Sequence, residues 1–318
     1  MSVPTKFEKP TATRDGYGAG LHKLGAMDAR VVALDADLAE STRSKWFQES
    51  WPDRFFQMGI AEQDMVLTAA GLASTGLRPY ASTFAIFTER AFEITRNAVA
   101  RPNLNVKIVG SHGGIMTGED GASAHAIEDV AIYRALPNFR VVVPGDANEA
   151  MNATIALNET DGPAYLKLTR QKVPVLTAPD ATFRVGQWTT LRDGADVTLL
   201  ANGALVSEAL VAADLLKAIG VSARVVNAHT VKPVDMVTLE RAARDTGALV
   251  TAEDHSVIGG LGSAVAEGAA DTYPVPIARV GVPDRYVESG LPTELYERTG
   301  FTGKALAEAA LAVMKRKR

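Results

Sequence analysis

The sequence contains no cysteine, which excludes disulfides, thiolate metal sites and a cysteine nucleophile. Neither sign of charge dominates: 33 Lys and Arg stand against 37 Asp and Glu, a formal net charge of −4. A chain so balanced has no bulk attraction for nucleic acid or a membrane surface, so any polyanion it binds must meet a local cation cluster. No apolar run approaches the length of a membrane span, and the opening MSVPTKFEKPTATRDG lacks the apolar core of a signal peptide. The basic end, Lys315 to Arg318, reads as a solvated helix terminus rather than a targeting signal. What these absences leave is a cytoplasmic enzyme or enzyme subunit with no nucleic-acid or membrane partner. At 318 residues the chain has room for two domains with separate cores.

What is present is a regular alternation. The short runs Val31–Asp37, Phe55–Gly59, Tyr80–Phe84, Val106–Ser111, Arg140–Val143 and Ala164–Leu168 read as strands. Helices are predicted at about 61–75, 84–99, 126–136 and 147–159, the first rich in small residues and buried on most of its surface. Residues 175–190 lose helical periodicity and read as a linker. A second cycle follows, with strands at Val197–Leu200, Ala223–Val226, Leu249–Ala252 and Ile277–Val280. Its helices lie near 204–219, 235–244, 260–272 and 303–316. The pattern predicts an α/β protein of two doubly wound domains, 1–185 and 186–318.

Parallel sheets place ligands at the carboxyl ends of their strands, and three unusual stretches fall there. Gly59-Ile60-Ala61-Glu62-Gln63 sets a carboxylate at the opening of an apolar helix, where it could also simply complement the helix dipole. Ser82-Thr83-Phe84-Ala85-Ile86-Phe87 puts two aromatics three apart, as core or as a platform. Gly110 to Gly121 carries five glycines in twelve residues, with His112, Glu119 and Asp120 among them. So many glycines disfavour helix and strand and suit a loop that approaches a ligand closely.

Together and in this order, these segments resemble the transketolase family over essentially the whole chain. "GIAEQ", "STFAIF", "TGEDGAS", "ALPNFRVVVPGDANE" and "LKLTRQKVP" match its second domain, and "EDHSVIGGLGSAVAE" its third. The resemblance implies a thiamine diphosphate pyrimidine-binding domain followed by a transketolase-type C-terminal domain. It makes Glu62 the carboxylate that hydrogen-bonds the aminopyrimidine, favouring the imino tautomer that takes up the thiazolium C2 proton. Phe87 would stack on the pyrimidine with Phe84 behind it, and Asp37 would lie near the cofactor or else cap a helix. Arg14, just before the first helix, Ser41, His112 and Arg170 match the family's grip on substrate phosphate. Asp120 corresponds to the acid that reads the donor's hydroxyl. The family's following histidine falls on Ala124, so His125, one place later, is the candidate for its role.

The family's diphosphate domain, marked by Gly-Asp-Gly and a later Asn, has no counterpart in this sequence, and no metal ligand is assigned here. The resemblance therefore implies a split transketolase acting on sugar phosphates. An N-terminal partner subunit would hold Mg²⁺ (or Ca²⁺) and the diphosphate, in an α2β2 assembly. The β subunits of 2-oxo acid dehydrogenases and the deoxyxylulose-phosphate synthases share the domain pair. The former need no phosphate clamp, and the latter normally join all three domains in one chain. A degenerate scaffold or regulatory subunit is the non-enzymatic alternative.

Overall fold

Six short runs pair in parallel into one sheet in the computed structural model, which describes residues 3–317. They are β1 (Val31–Asp35), β2 (Phe55–Gln57), β3 (Arg78–Phe84), β4 (Lys107–Ser111), β5 (Arg140–Val142) and β6 (Ala164–Lys167), in the order β5-β6-β4-β3-β1-β2. Every residue of β1 and β4 is buried, which is why neither alternates apolar with polar residues. Three long helices accompany this sheet: α1 (Thr13–Met27), α2 (Glu62–Ser74) and α3 (Ala147–Glu159). The backbones of α1 and α3 approach so closely that a Cβ at Gly16 would overlap the Ala147 carbonyl. Tyr17, Leu21 and Leu24 of α1 are buried with Phe47, Tyr80 and Leu166. Each such side chain stabilises the fold by roughly 1.5–3 kcal/mol.

The chain divides into two compact units. One runs up to Gly113 and resumes over Ile132–Val185; the other comprises Gly114–Ala131 and the chain from Gly186 onward. The second unit contains a five-stranded sheet built from β7 (Thr189–Arg192), β8 (Val197–Ala201), β9 (Ala223–Asn227), β10 (Leu249–Ser256) and β11 (Ile277–Val282). Its order is β11-β10-β8-β9-β7, parallel except for the edge strand β7. Helices α4 (Leu205–Ala218), α5 (Met236–Thr246), α6 (Leu261–Asp271), α7 (Pro292–Thr299) and α8 (Gly303–Met314) complete it. Asp235 and Thr302 cap α5 and α8, accepting from the amides of Thr238 and Ala305. Both units are thus doubly wound α/β domains. Among the described residues, no helix is long and apolar enough to cross a membrane.

Several local expectations need correction. Arg14 lies inside the first turn of α1, not before it. The buried side of α2 is a single stripe of Glu62, Met65, Val66, Ala69 and Ala70, while Gln63, Asp64, Leu67 and Gly71 are exposed. That stripe recurs at helical spacing; apolar Leu67 and small Gly71 on the exposed face give the helix the look of one buried on most sides. The stretch predicted as one helix over 84–99 breaks into α, 3-10 and π turns between Ala85 and Ala100. Thr88 and Thr95 hydroxyls donate back to the carbonyls of Ala85 and Ala91, a competition that distorts helices. Strand β7 begins inside the stretch read as linker, and α7 falls where no helix is predicted; β7 is a polar edge with no apolar alternation.

Candidate functional site

In the first unit, the start of α1 and the end of β6 are tied together. Thr169 N–H donates to the Thr13 hydroxyl at 2.7 Å, and Thr13 N–H donates back to the Thr169 hydroxyl at 3.3 Å. Thr11 and Ala12 also pair antiparallel with Val173 and Lys172. The neighbouring residues Arg14 and Arg170 are thereby brought into one cationic cluster, and each helps to disfavour a proton on His112. Arg14 Nη1 donates to the Ser41 carbonyl at 2.9 Å and faces His112 Nε2 at 3.3 Å. Its Nε is buried with no hydrogen-bond partner among the described residues. Ser41 therefore enters this arrangement through its main chain.

Because a guanidinium only donates, its position assigns His112 Nε2 as an acceptor. The proton then sits on Nδ1, 2.9 Å from the Ser111 hydroxyl. Burial, followed by the charges of Arg14, Arg170 and Arg43, pushes the imidazole down to about 3, so it is neutral at physiological pH. Burial and the charge of Arg43 also lower the Arg14 pKa. Arg43 is held by Asp15 at 2.6 Å and by the Glu40 carbonyl at 2.7 Å.

An aromatic stack continues from this cluster. The His112 ring lies 3.8 Å from the Phe84 ring, and Phe84 stacks on Phe87 at 5.7 Å with 10° between their planes. The Arg90 guanidinium lies 5.3 Å from the Phe87 centroid, and Arg90 Nη1 donates to both Glu62 oxygens at 2.9 and 3.0 Å. Glu62 is only 2% exposed. Glu62, Phe87, Phe84, His112 and Arg14 therefore form one continuous line of contacts with Arg90. Its middle is the aromatic pair Phe84 and Phe87, with the arginine cluster at one end and the buried Glu62 carboxylate at the other.

Asp37 stands outside that line. Two residues beyond β1, it takes a left-handed conformation, φ 65°, exposed, with its amide donating to the Gln57 side chain at 2.8 Å. The structure corrects the helix-cap reading of Asp37. The adjacent buried Asp35 instead accepts from the Leu38 amide and from the Thr42 and Ser44 hydroxyls.

Asp120 and His125 belong to the second unit, in the segment Gly114–Ala131. Asp120 is exposed. His125 is 1% exposed, its Nε2 is 3.0 Å from the Gly118 carbonyl and its Nδ1 has no hydrogen-bond partner among the described residues. Three consecutive residues of β10 organise this unit. Glu253 accepts from the amides of Leu261 and Gly262 at the start of α6. Asp254 accepts from the amides of Ile115 and Met116 and from the Tyr296 hydroxyl. His255 accepts the Ala131 amide on Nε2 and faces the Ser256 carbonyl with Nδ1. Gly114 takes φ 80°, and a Cβ there would overlap the Asp254 carboxylate. The glycine-rich segment owes part of its composition to this packing. Among the described residues, no group of three His, Asp or Glu could hold a metal ion.

The fold defines a class: a protein of paired, doubly wound α/β domains. Residues 9–175 match the pyrimidine-binding domain of transketolase and residues 186–306 its C-terminal domain. The chain belongs to the transketolase family. A transketolase C-terminal section assigned in Methanocaldococcus jannaschii is 43% identical over 307 residues, covering 95% of this chain and 96% of that one. The 6-deoxy-6-sulfo-D-fructose transketolase subunit SqwH of Clostridium sp. strain MSTE9 is 42% identical over 305 residues, covering 96% and 95%. A solved structure titled as a split gene transketolase, an inactive β4 tetramer, has a TM-score of 0.90 at 46% identity. That match covers 97% of this chain and 100% of the other.

Sequence reasoning did not find Arg43, Arg90, Asp254 or Tyr296. Arg43 lies two residues after Ser41 and Arg90 three after Phe87, so both flank segments already singled out. Their partners, Asp15 and Glu62, are 28 residues away in each case, which no local spacing reveals.

Proposed function

We propose that this chain is the β-type subunit of a split, thiamine diphosphate-dependent transketolase that moves a two-carbon ketol unit from a ketose phosphate to an aldose phosphate. Residues 1–185 act as the pyrimidine-binding domain. An N-terminal partner subunit contributes the diphosphate and Mg²⁺ (or Ca²⁺) site, in an α2β2 assembly in the cytoplasm. The observation that carries this reading is the unbroken line from Glu62 through Phe87 and Phe84 to His112 and Arg14.

The residues present fit an aminopyrimidine. The buried Glu62 carboxylate already accepts N–H donors from a flat cationic group lying over Phe87, which is what the ring would offer. When bound, thiamine diphosphate supplies the nucleophilic carbon for ketol transfer. Glu62 holds a proton on the ring nitrogen, in a pocket whose low polarity strengthens that bond. Phe87 and Phe84 orient the ring and exclude water, and Asp37 lies at the cofactor's edge. Arg14, Arg170 and the Ser41 turn receive the anionic end of the sugar, and neutral His112 adds a hydrogen bond without adding charge. Asp120 reads the donor's hydroxyl, and His125 is the acid–base candidate.

The arginine cluster favours this reading over a 2-oxo acid dehydrogenase, whose substrates need no such grip. It equally suits a sulfonate, another three-oxygen anion, and the clostridial relative named for 6-deoxy-6-sulfo-D-fructose makes that a specific second reading. Arg170→Ala tests both. In the reconstituted complex it should raise KM for the anionic sugar, lowering kcat/KM roughly ten- to a hundredfold, the loss of about 1.5–3 kcal/mol expected for a charged hydrogen bond. Hydroxypyruvate with an unphosphorylated acceptor should react unchanged. Comparing fructose 6-phosphate with its 6-sulfo analogue identifies the anion. Equal losses for phosphorylated and unphosphorylated pairs would move the oxo acid dehydrogenase to first place.

A further inference from the structure

Arg90 engages both parts of the wall that an aminopyrimidine would use. Its Nη1 donates to the two oxygens of Glu62, and its guanidinium carbon lies over Phe87. A guanidinium is flat, delocalised and rich in N–H donors, the features an aminopyrimidine shares when its ring nitrogen is protonated. Glu62 is 2% exposed, whereas the Arg90 side chain is 54% exposed. A buried carboxylate left alone is costly, so the free subunit needs a partner for it. The partner it has is mostly in water, where its attraction is screened and its release is cheap. The Gln63 side-chain amide donates to the Arg90 carbonyl at 3.2 Å, so the main chain stays beside Glu62 while the side chain can swing away.

We propose that Arg90 holds the aminopyrimidine's seat in the free subunit and is displaced from Glu62 and Phe87 when the ring binds. This rests on Glu62 and Phe87 being the pyrimidine site. Arg90 is then a positioning residue: it compensates the buried acid and keeps the Phe87 face covered until the cofactor arrives. Its departure exchanges one planar donor for another, so the charge at Glu62 is never left unpartnered.

The test uses the whole free chain and, as probe, 4-amino-5-hydroxymethyl-2-methylpyrimidine at pH 8, which has neither diphosphate nor thiazolium charge; it is neutral in solution and takes up a proton on the ring nitrogen that meets Glu62. Binding is followed by ligand-observed NMR, and the Arg90 Nε signal by ¹⁵N NMR. Arg90→Met should bind the probe at least threefold more tightly than the wild type, with Arg90→Lys between them and native circular dichroism in all. In the wild type, saturation with the probe should move the Arg90 signal to that of a solvent-exposed arginine. Glu62→Gln should weaken binding at least tenfold with or without Arg90. Equal or weaker binding by both Arg90 variants, with the Glu62→Gln effect intact, would overturn the seat-holding role and leave the pyrimidine site standing. Binding that ignores Glu62→Gln, or no binding in any variant, would overturn the site and this proposal together.

Discussion

Thr13 and Thr169, 156 positions apart, exchange backbone-to-hydroxyl hydrogen bonds in both directions and so set Arg14 and Arg170 in one cationic cluster. Thr169→Val keeps the shape but leaves the buried Thr13 amide without its acceptor. The loss should be about 1–3 kcal/mol, read as a shift in denaturant midpoint at constant slope. In the reconstituted enzyme, KM for the anionic sugar should rise more than kcat falls. A kcat-only effect would detach the threonine pair from substrate binding.

The His112 ring should not titrate between pH 5 and 8. Its folded value is pushed down to about 3, against about 6.5 when unfolded. Below 6.5 the unfolded chain takes up a proton that the folded chain refuses, so stability falls as pH drops from 6.5 towards 3. Histidine Cε1–H shifts followed by NMR, assigned with His112→Gln, give the value directly. His112→Gln should flatten that part of the stability profile.

Removing the Tyr296 hydroxyl tests what holds the glycine-rich segment within the second unit. Tyr296→Phe takes away one donor to Asp254 while the amides of Ile115 and Met116 remain. A loss of about 1.5–3 kcal/mol is expected for a bond to a charged group. Asp254→Ala should cost more, because the amides of Ile115 and Met116 then lose their acceptor. Hydrogen exchange at those two amides should accelerate in both variants, and most in Asp254→Ala.

Glu62→Ala should leave the complex assembled yet slow exchange of the thiazolium C2 proton of bound cofactor, measured by NMR after deuterium labelling. Without the carboxylate, the ring nitrogen loses the partner that keeps it protonated. Unchanged exchange would remove Glu62 from the chemistry, whatever became of overall turnover.

Much of the architecture was legible because buried parallel strands demand unbroken apolar runs and their helices a single stripe. The β1 run and the α2 stripe of Met65, Val66, Ala69 and Ala70 show that pattern. The polar edge strand β7 escaped because an edge that faces water needs no apolar signal. The helix predicted over 84–99 failed for a different reason: Thr88 and Thr95 bond to the backbone turns they sit on, a choice that periodicity does not record.

By itself the sequence determined the alternating α/β order, the family, and the residues that carry its motifs, Glu62 and Phe87 among them, since those properties lie in composition and short spacing. Only the tertiary structure decided which of them meet. Phe84 joins His112 to Phe87 because the end of β3 lies beside the end of β4 in register. Arg90 reaches Glu62 because the broken helix after Phe87 turns it back over the ring. Gly114–Ala131 goes with the second unit because Asp254 and His255 accept its amides. Hydrogen bonds are directional and short, so a partner more than a hundred residues away is fixed by the folded backbone and leaves no local trace in the chain.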